Sequence, residues 1–409
     1  MTERYGSGGA LAPAWQPARP TGALARRSAV LLLLLGVTFG QRFCFPLGTF
    51  QISIVVPLAY LAIYLLLASG QLRINTIAIV LYAATITAMI ATLYIGKANF
   101  SPFSFWYLIV LYFVYIFSVD VPLGEYLDDL EIFQKLLLIL AGIAFLQFAE
   151  QLLSGATFSI FAYIPHDYWL FGYNTRPTIA YESMFHKANA EFFLEPSFLS
   201  QYMAIGIIIE MLYFARWRRI AVYAAAIFTS FSGTGMVLLA LFAIAAIVRS
   251  KRYEFLYAVP ILVFLYIVFQ DNPYVTAITG RVNEFDSENS SAFVRFIGPN
   301  EALAELIYPD FLAFLVGKGP GAVDHLGRSL DFVSNFPVMH KVLIEYGIVG
   351  FVPFMTFITY RFFAAARSRL LAAALFIMYL FLSGSLLQPH TIYLFYVLTI
   401  MMPRTEMEA

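Results

Sequence analysis

Apolar runs about as long as a bilayer is thick recur from one end of this chain to the other, and nothing else constrains its fold as strongly. A helix needs about 20 such residues to cross the hydrocarbon core. The sequence supplies them near 29–45, 50–69, 74–95, 103–119, 132–152, 197–214, 219–231, 234–249, 253–270, 340–360, 369–385 and 388–403, which predicts about twelve transmembrane helices. Of 409 residues, 61% are hydrophobic and 12% charged, with a mean hydropathy of +0.77. A soluble domain is typically about half apolar and a quarter charged. The expected fold class is therefore all-α, a polytopic helical bundle over residues 29–403 with tails at 1–28 and 404–409. A net charge of zero argues against a nucleic-acid partner, and a single cysteine, Cys44, leaves no disulfide framework and no cysteine-ligated metal site.

Basic residues set the expected orientation. Short loops such as 215-ARWRRI-220 and 249-RSKRY-253 are rich in Arg and Lys, which places them, and with them both termini, in the cytoplasm. Two long loops, about 153–196 and 271–339, then face outward. The acidic segment 120–135 falls inside, as an amphipathic elbow on the membrane surface or a solvated loop. A bundle of this kind belongs to the bacterial inner membrane, because outer-membrane proteins are barrels.

Carriers commonly keep ionisable residues within their spans. Here the spans are nearly clean: Glu210 can reach back to Arg216 at a helix end. The chemistry-bearing residues gather in the two outer loops. In the first, 189-NAEFFLEPSFLSQY-202 puts Glu195 and Pro196 at the mouth of an apolar helix. Proline suits the first helical position and acidic residues suit a helix N-terminus, so this could be only a helix start. Two features point further. Glu191 and Glu195 would share a face if 189–196 were helical, and Arg176 lies in the same loop. A partly desolvated carboxylate at a membrane boundary makes a general base.

Guanidinium groups bind phosphate bidentately and keep their charge. Arg176, Arg281, Arg295 and Arg328 all lie on the outer side, where there is no ATP, and a lipid-linked pyrophosphate is the polyanion that fits them. Singly, each could equally meet lipid headgroups. The stretch 292–308 has the spacing of an interfacial amphipathic helix. The turn 316-VGKGPGAVD-324 lacks the Ser or Thr of a P-loop. Its glycines, with Lys318, could approach a phosphate or be plain loop. The five histidines have no metal-ligand spacing, so no catalytic metal and no cofactor are expected.

Taken together, R…EPSFLSQY, 230-SFSGTGMVLLAL-241, 316-VGKGPG-321 and 338-VMHKVLIEYGIVGF-351 resemble the bacterial Wzy-type polysaccharide polymerases, within the superfamily that includes the O-antigen ligases. The likeness runs from about residue 29 over most of the chain, on short motifs. It implies a C-type, metal-independent glycosyltransferase. Such an enzyme moves a glycan from an undecaprenyl-pyrophosphate carrier to a sugar hydroxyl on another lipid-linked repeat unit, at the periplasmic face. A flippase and a chain-length regulator are the partner proteins such an enzyme would meet. On this reading Glu195, Arg176, Arg295 and His340 carry the chemistry. Arg281, Arg328, Lys318, Tyr173, Tyr181, Trp169, Ser232 and Thr234 bind substrate. One departure stands out. The His-Asn pair that many ligases carry about nine residues before E-x-G is replaced by Asn335 and Phe336, with His340 one turn further on. Glu195 and His340 both stay open as the base. Ser232 and Thr234 have a simpler role open to them too, as small residues where helices pack. A ligase passing finished glycan to lipid A or protein would share the donor chemistry. A transporter of lipid-linked glycan would instead need cations spread through its spans.

Overall fold

The computed structural model describes residues 20–48, 50–95, 101–155, 159–179, 185–250, 293–326, 330, 334–364, 366–382 and 385–401. The expected span near 253–270 lies outside them, as do Tyr181, Arg281 and Arg328. The chain is mostly helical. Helix α1 (Pro20–Phe39) leads into a hairpin of β1 (Cys44–Leu47) and β2 (Phe50–Ser53), then α2 (Val55–Ala68). Next come β3 (Arg73–Ile74), α3 (Thr76–Ile95), α4 (Pro102–Phe113), β4 (Phe117–Ser118), which pairs with β3, and α5 (Leu123–Ser154). After the first long loop follow α6 (Pro196–Ile209), α7 (Trp217–Ser230) and α8 (Thr234–Ser250). Three short helices, α9 (Gly298–Leu306), α10 (Phe311–Val316) and α11 (Ala322–Leu326), precede α12 (Val338–Ala364), α13 (Arg369–Ile377) and α14 (Pro389–Phe395).

Local chemistry sets many of these limits. Ser101 caps α4 by accepting from the Ser104 amide, with Pro102 following. Gly155 ends α5 in the left-handed conformation. The Asp310 carboxylate accepts from the Leu312 and Ala313 amides to start α10.

Four helices among the described residues are long and apolar enough to cross a membrane: Thr76–Ile95, Leu123–Ser154, Pro196–Phe214 and Val338–Ala364. That fits an all-α membrane protein and corrects the expectation of about twelve spans. The physical reason is continuity. Several apolar runs are divided between elements: residues 50–53 pair as a strand before α2 begins, and α7 has only 14 residues, about 21 Å of helix. A second correction concerns 120–135. Instead of a surface elbow or a loop it opens the 32-residue α5. There Asp129 is buried against Arg26 of α1, and Glu125 meets the same guanidinium at 2.8 Å.

Every residue of α6 from Pro196 to Ile209 is buried, so this helix is the axis on which its neighbours pack. It continues as a wider π turn through Glu210–Phe214. Glu210, fully buried, bonds Arg216 at 2.8 Å, and Glu131 of α5 binds Arg216 at 2.6 Å and Arg219 at 2.9 Å. A polar knot thus closes one end of α6. The candidate site lies at the other.

Candidate functional site

Glu195 is the residue just before α6, in extended conformation (φ −143°), with Pro196 at the first helical position. Its side chain does not cap the helix. It accepts from Ser197 Oγ at 3.0 Å and from Arg295 Nη2 at 3.3 Å. Both contacts fall on Oε2, which leaves Oε1 available to an incoming hydroxyl among the described residues. Arg295 comes from a π turn, Phe293–Ile297, that runs directly into α9, so the stretch expected as an amphipathic helix is helical from Phe293.

This pair stands in the wall of a cavity of about 370 Å³. Phe171, Tyr173 and Phe198 give it aromatic faces. Asp324, Asn335 and Gln388 add a carboxylate and two amides. Burial, followed by the nearby Glu195 carboxylate, raises the Tyr173 hydroxyl above the ordinary phenol range, against a hydrogen bond with Gln388 that lowers it. Tyr173 therefore stays a neutral donor. Aromatic planes with amide and carboxylate edges suit a flat, hydroxyl-rich ligand, since each face offers dispersion contact and each hydroxyl can both give and accept a hydrogen bond.

The other expected residues are distributed differently. Glu191 and Glu195 do not share a helix face: Ala190 and Glu191 take left-handed backbone angles (φ 51° and 62°). That turn is strained for residues with a Cβ. Gln147 of α5 holds it, its Oε1 accepting from the Asn189 amide at 3.0 Å and the Ala190 amide at 3.1 Å. The turn sends the Glu191 carboxylate to Arg176, at 3.0 Å, so Arg176 serves Glu191 and not Glu195. Gln147 Nε2 and Ser159 Oγ complete Glu191's shell at 2.9 and 2.6 Å. The buried Arg42 donates to the Glu191 carbonyl at 2.7 Å with its guanidinium 3.7 Å above Phe161. Burial pulls Arg42 down to about 10, opposed by Glu191 and reinforced by Arg176.

His340 does not line the cavity, and its Nε2 meets Asn300 Oδ1 at 3.1 Å. Trp169 packs edge-on to Phe161 and beside His166 in the hairpin-facing loop, also away from the cavity lining. Ser232 and Thr234 bond each other at 3.1 Å, and Thr234 donates to the Ser197 carbonyl at 3.3 Å. A Cβ on Gly235 would come within 2.3 Å of the Ser200 carbonyl oxygen, so the SGTG stretch lets α8 cross α6 closely.

The VGKGPG turn and the E-x-G stretch explain each other. Lys318 N donates to Ile344 O at 2.8 Å, Gly319 N to Glu345 O at 2.9 Å, and Gly321 N to the buried Glu345 carboxylate at 3.1 Å. Gly347 breaks α12 at φ 59°, where a Cβ would meet Leu315 backbone atoms at 2.4 Å. The Lys318 ammonium binds Asp310 at 3.0 Å and does not line the cavity; that contact, with the Ala313 and Leu312 amides behind it, lowers the Asp310 carboxyl. Phe171, Phe198 and Gln388 are among the lining residues that motif reading passed over. Phe198 was within reach, three residues after Glu195 in the first turn of α6. Gln388 comes from a distant segment and gave no local signal.

Among the described residues no three His, Cys, Asp or Glu side chains gather where they could hold a metal ion. No protein-family model matches this chain, and no curated protein matches it.

Proposed function

We propose that this protein is a membrane-embedded glycosyltransferase that polymerises undecaprenyl-pyrophosphate-linked oligosaccharide repeat units into an exopolysaccharide. On this reading it works at the periplasmic face of the bacterial inner membrane, with both termini in the cytoplasm. The observation that carries the reading is the cavity at the start of α6, with the half-engaged Glu195–Arg295 pair in its aromatic and amide wall. In the reaction an acceptor hydroxyl attacks the anomeric carbon of the donor glycan. Its proton passes to Glu195 Oε1 while the bond from that carbon to the pyrophosphate oxygen breaks. Undecaprenyl pyrophosphate leaves with the bonding electrons. Protonation of Glu195 weakens its pull on Arg295, whose guanidinium faces the developing negative charge on the pyrophosphate.

The test is reconstitution. Purified protein is mixed with an undecaprenyl-pyrophosphate-linked repeat unit, without nucleotide sugars. A ladder of products, lost in Glu195→Gln, is expected. Transfer to added lipid A in place of a ladder would turn the reading to a ligase. No product with either acceptor would overturn glycan transfer.

A further inference from the structure

A second cavity lies against the first long loop, and one short segment of chain forms a wall of both. This slot, about 680 Å³, is lined by Pro46, Leu47 and Ile52 of the hairpin, Val56 and Pro57 of α2, and Tyr168, among others. No charged side chain lines it among the described residues. Three residues after Tyr168, Phe171 lines the cavity that holds Glu195 and Arg295. Residues three apart along a chain lie at most about 11 Å from each other. The segment between them is pinned against the hairpin. Trp169 is extended and bridges Phe43, and Leu170 N donates to Arg42 O at 2.9 Å. Gln51 of β2 donates to Trp169 O at 2.8 Å and accepts from Phe171 N at 2.9 Å. An apolar slot and a polar cavity thus share a fixed rim.

Resting on the reading of this protein as acting on a polyprenyl-linked glycan, we propose that the slot seats the isoprene units of the donor's tail nearest its pyrophosphate. The tail crosses the 168–171 rim, which puts the pyrophosphate at Arg295 and the anomeric carbon beside Glu195. A pyrophosphate and one isoprene unit cover that length. The acyl chain of a membrane phospholipid is just as apolar, so grease alone does not choose the occupant. The rim does. A chain seated here carries its headgroup to a guanidinium and an aromatic, amide-edged wall, which fits a pyrophosphate bearing a sugar. The lining is also stiff. Proline rings and the β-branched Ile52 and Val56 have little side-chain freedom to lose in holding a methyl-branched chain. In a bilayer the slot gains little by excluding water, because lipid tails are as apolar as its walls. Its contribution is position: a tail held at the rim keeps the reacting carbon in register with Glu195.

The experiment uses the full chain in nanodiscs of phosphatidylethanolamine and phosphatidylglycerol, with two photoreactive probes. One is undecaprenyl pyrophosphate with a diazirine on the isoprene unit next to the pyrophosphate. The other is phosphatidylglycerol with a diazirine near the top of an acyl chain. Crosslinked peptides are mapped by mass spectrometry. At equal concentration the carrier probe is expected to label the slot residues at least about 10-fold more than the lipid probe. Leu47 is 57% exposed, so Leu47→Glu should keep the unfolding midpoint while its carboxylate cuts that label by about 10-fold. Ile52→Trp, which fills the slot, should do the same. Equal labelling by the two probes would make the slot a phospholipid seat and overturn the proposal. So would carrier label confined to other parts of the chain, or slot label that neither variant reduces. Labelling needs no glycan transfer, so the two readings fail separately. Carrier label in the slot without a product ladder keeps the carrier site and removes the polymerase. A ladder with the label elsewhere removes only the slot.

Discussion

Glu191 and Glu195 stand four residues apart in one loop and live in opposite circumstances. Glu191 has both carboxylate oxygens occupied, by Gln147 and Arg176 on one and Ser159 on the other, and is 4% exposed. Glu195 has its two contacts on a single oxygen, and its side chain is 22% exposed in a cavity wall. A saturated buried carboxylate holds structure, since removing it strands its partners. A half-satisfied one has capacity left for a ligand. Number of partners, more than charge or motif, separates the fold-keeping acid from the candidate working one.

The largest expected effect is on Glu195. Glu195→Gln should keep the thermal unfolding midpoint of the native protein while cutting polymer formation by about 100-fold or more, measured as initial ladder yield. An active Glu195→Gln protein would erase the distinction between the two acids. Glu191→Ala is the mirror experiment. It leaves Arg176 facing a cavity and costs about 3 kcal/mol of stability. It should therefore appear as a lowered unfolding midpoint in detergent, whatever the activity of the fraction that folds. Gly347→Ala tests the scaffold behind the cavity: left-handed strain and the clash with Leu315 should cost about 2 kcal/mol, read in the same melt. The smallest effect belongs to His340→Ala, expected to change polymer yield less than about 3-fold, because this histidine contacts Asn300 and does not line the cavity. A collapse of activity there, with the fold intact, would move the base from Glu195 to His340.

Some of this could be read from the sequence alone. Pro196 at the first position of α6, and an apolar run long enough to cross a membrane after it, are local signals with local causes. The Glu195–Arg295 meeting joins positions a hundred residues apart, and chain-local patterns carry no trace of it. The turn at Ala190–Glu191 was unreadable for another reason. Neither residue favours positive φ, and the conformation exists because Gln147 of α5 takes both preceding amides. The span count failed because hydropathy measures how apolar a run is, not whether a single helix carries it. Arg176 was read as a cation for phosphate in the same loop as the two acids, and spacing could not say that its side chain meets Glu191.

The order in which partners appear along the chain has a consequence for biogenesis. Everything that engages Glu191 by side chain, from Gln147 through Ser159 to Arg176, lies upstream of it, as does Arg42 on its carbonyl. Arg295 lies downstream of Glu195. At ribosomal speeds of about 5–20 residues per second, Arg295 is made roughly 5–20 seconds after Glu195. The nascent chain can therefore close its Glu191 clasp while still being inserted, and it holds Glu195 without its arginine until the later helices arrive.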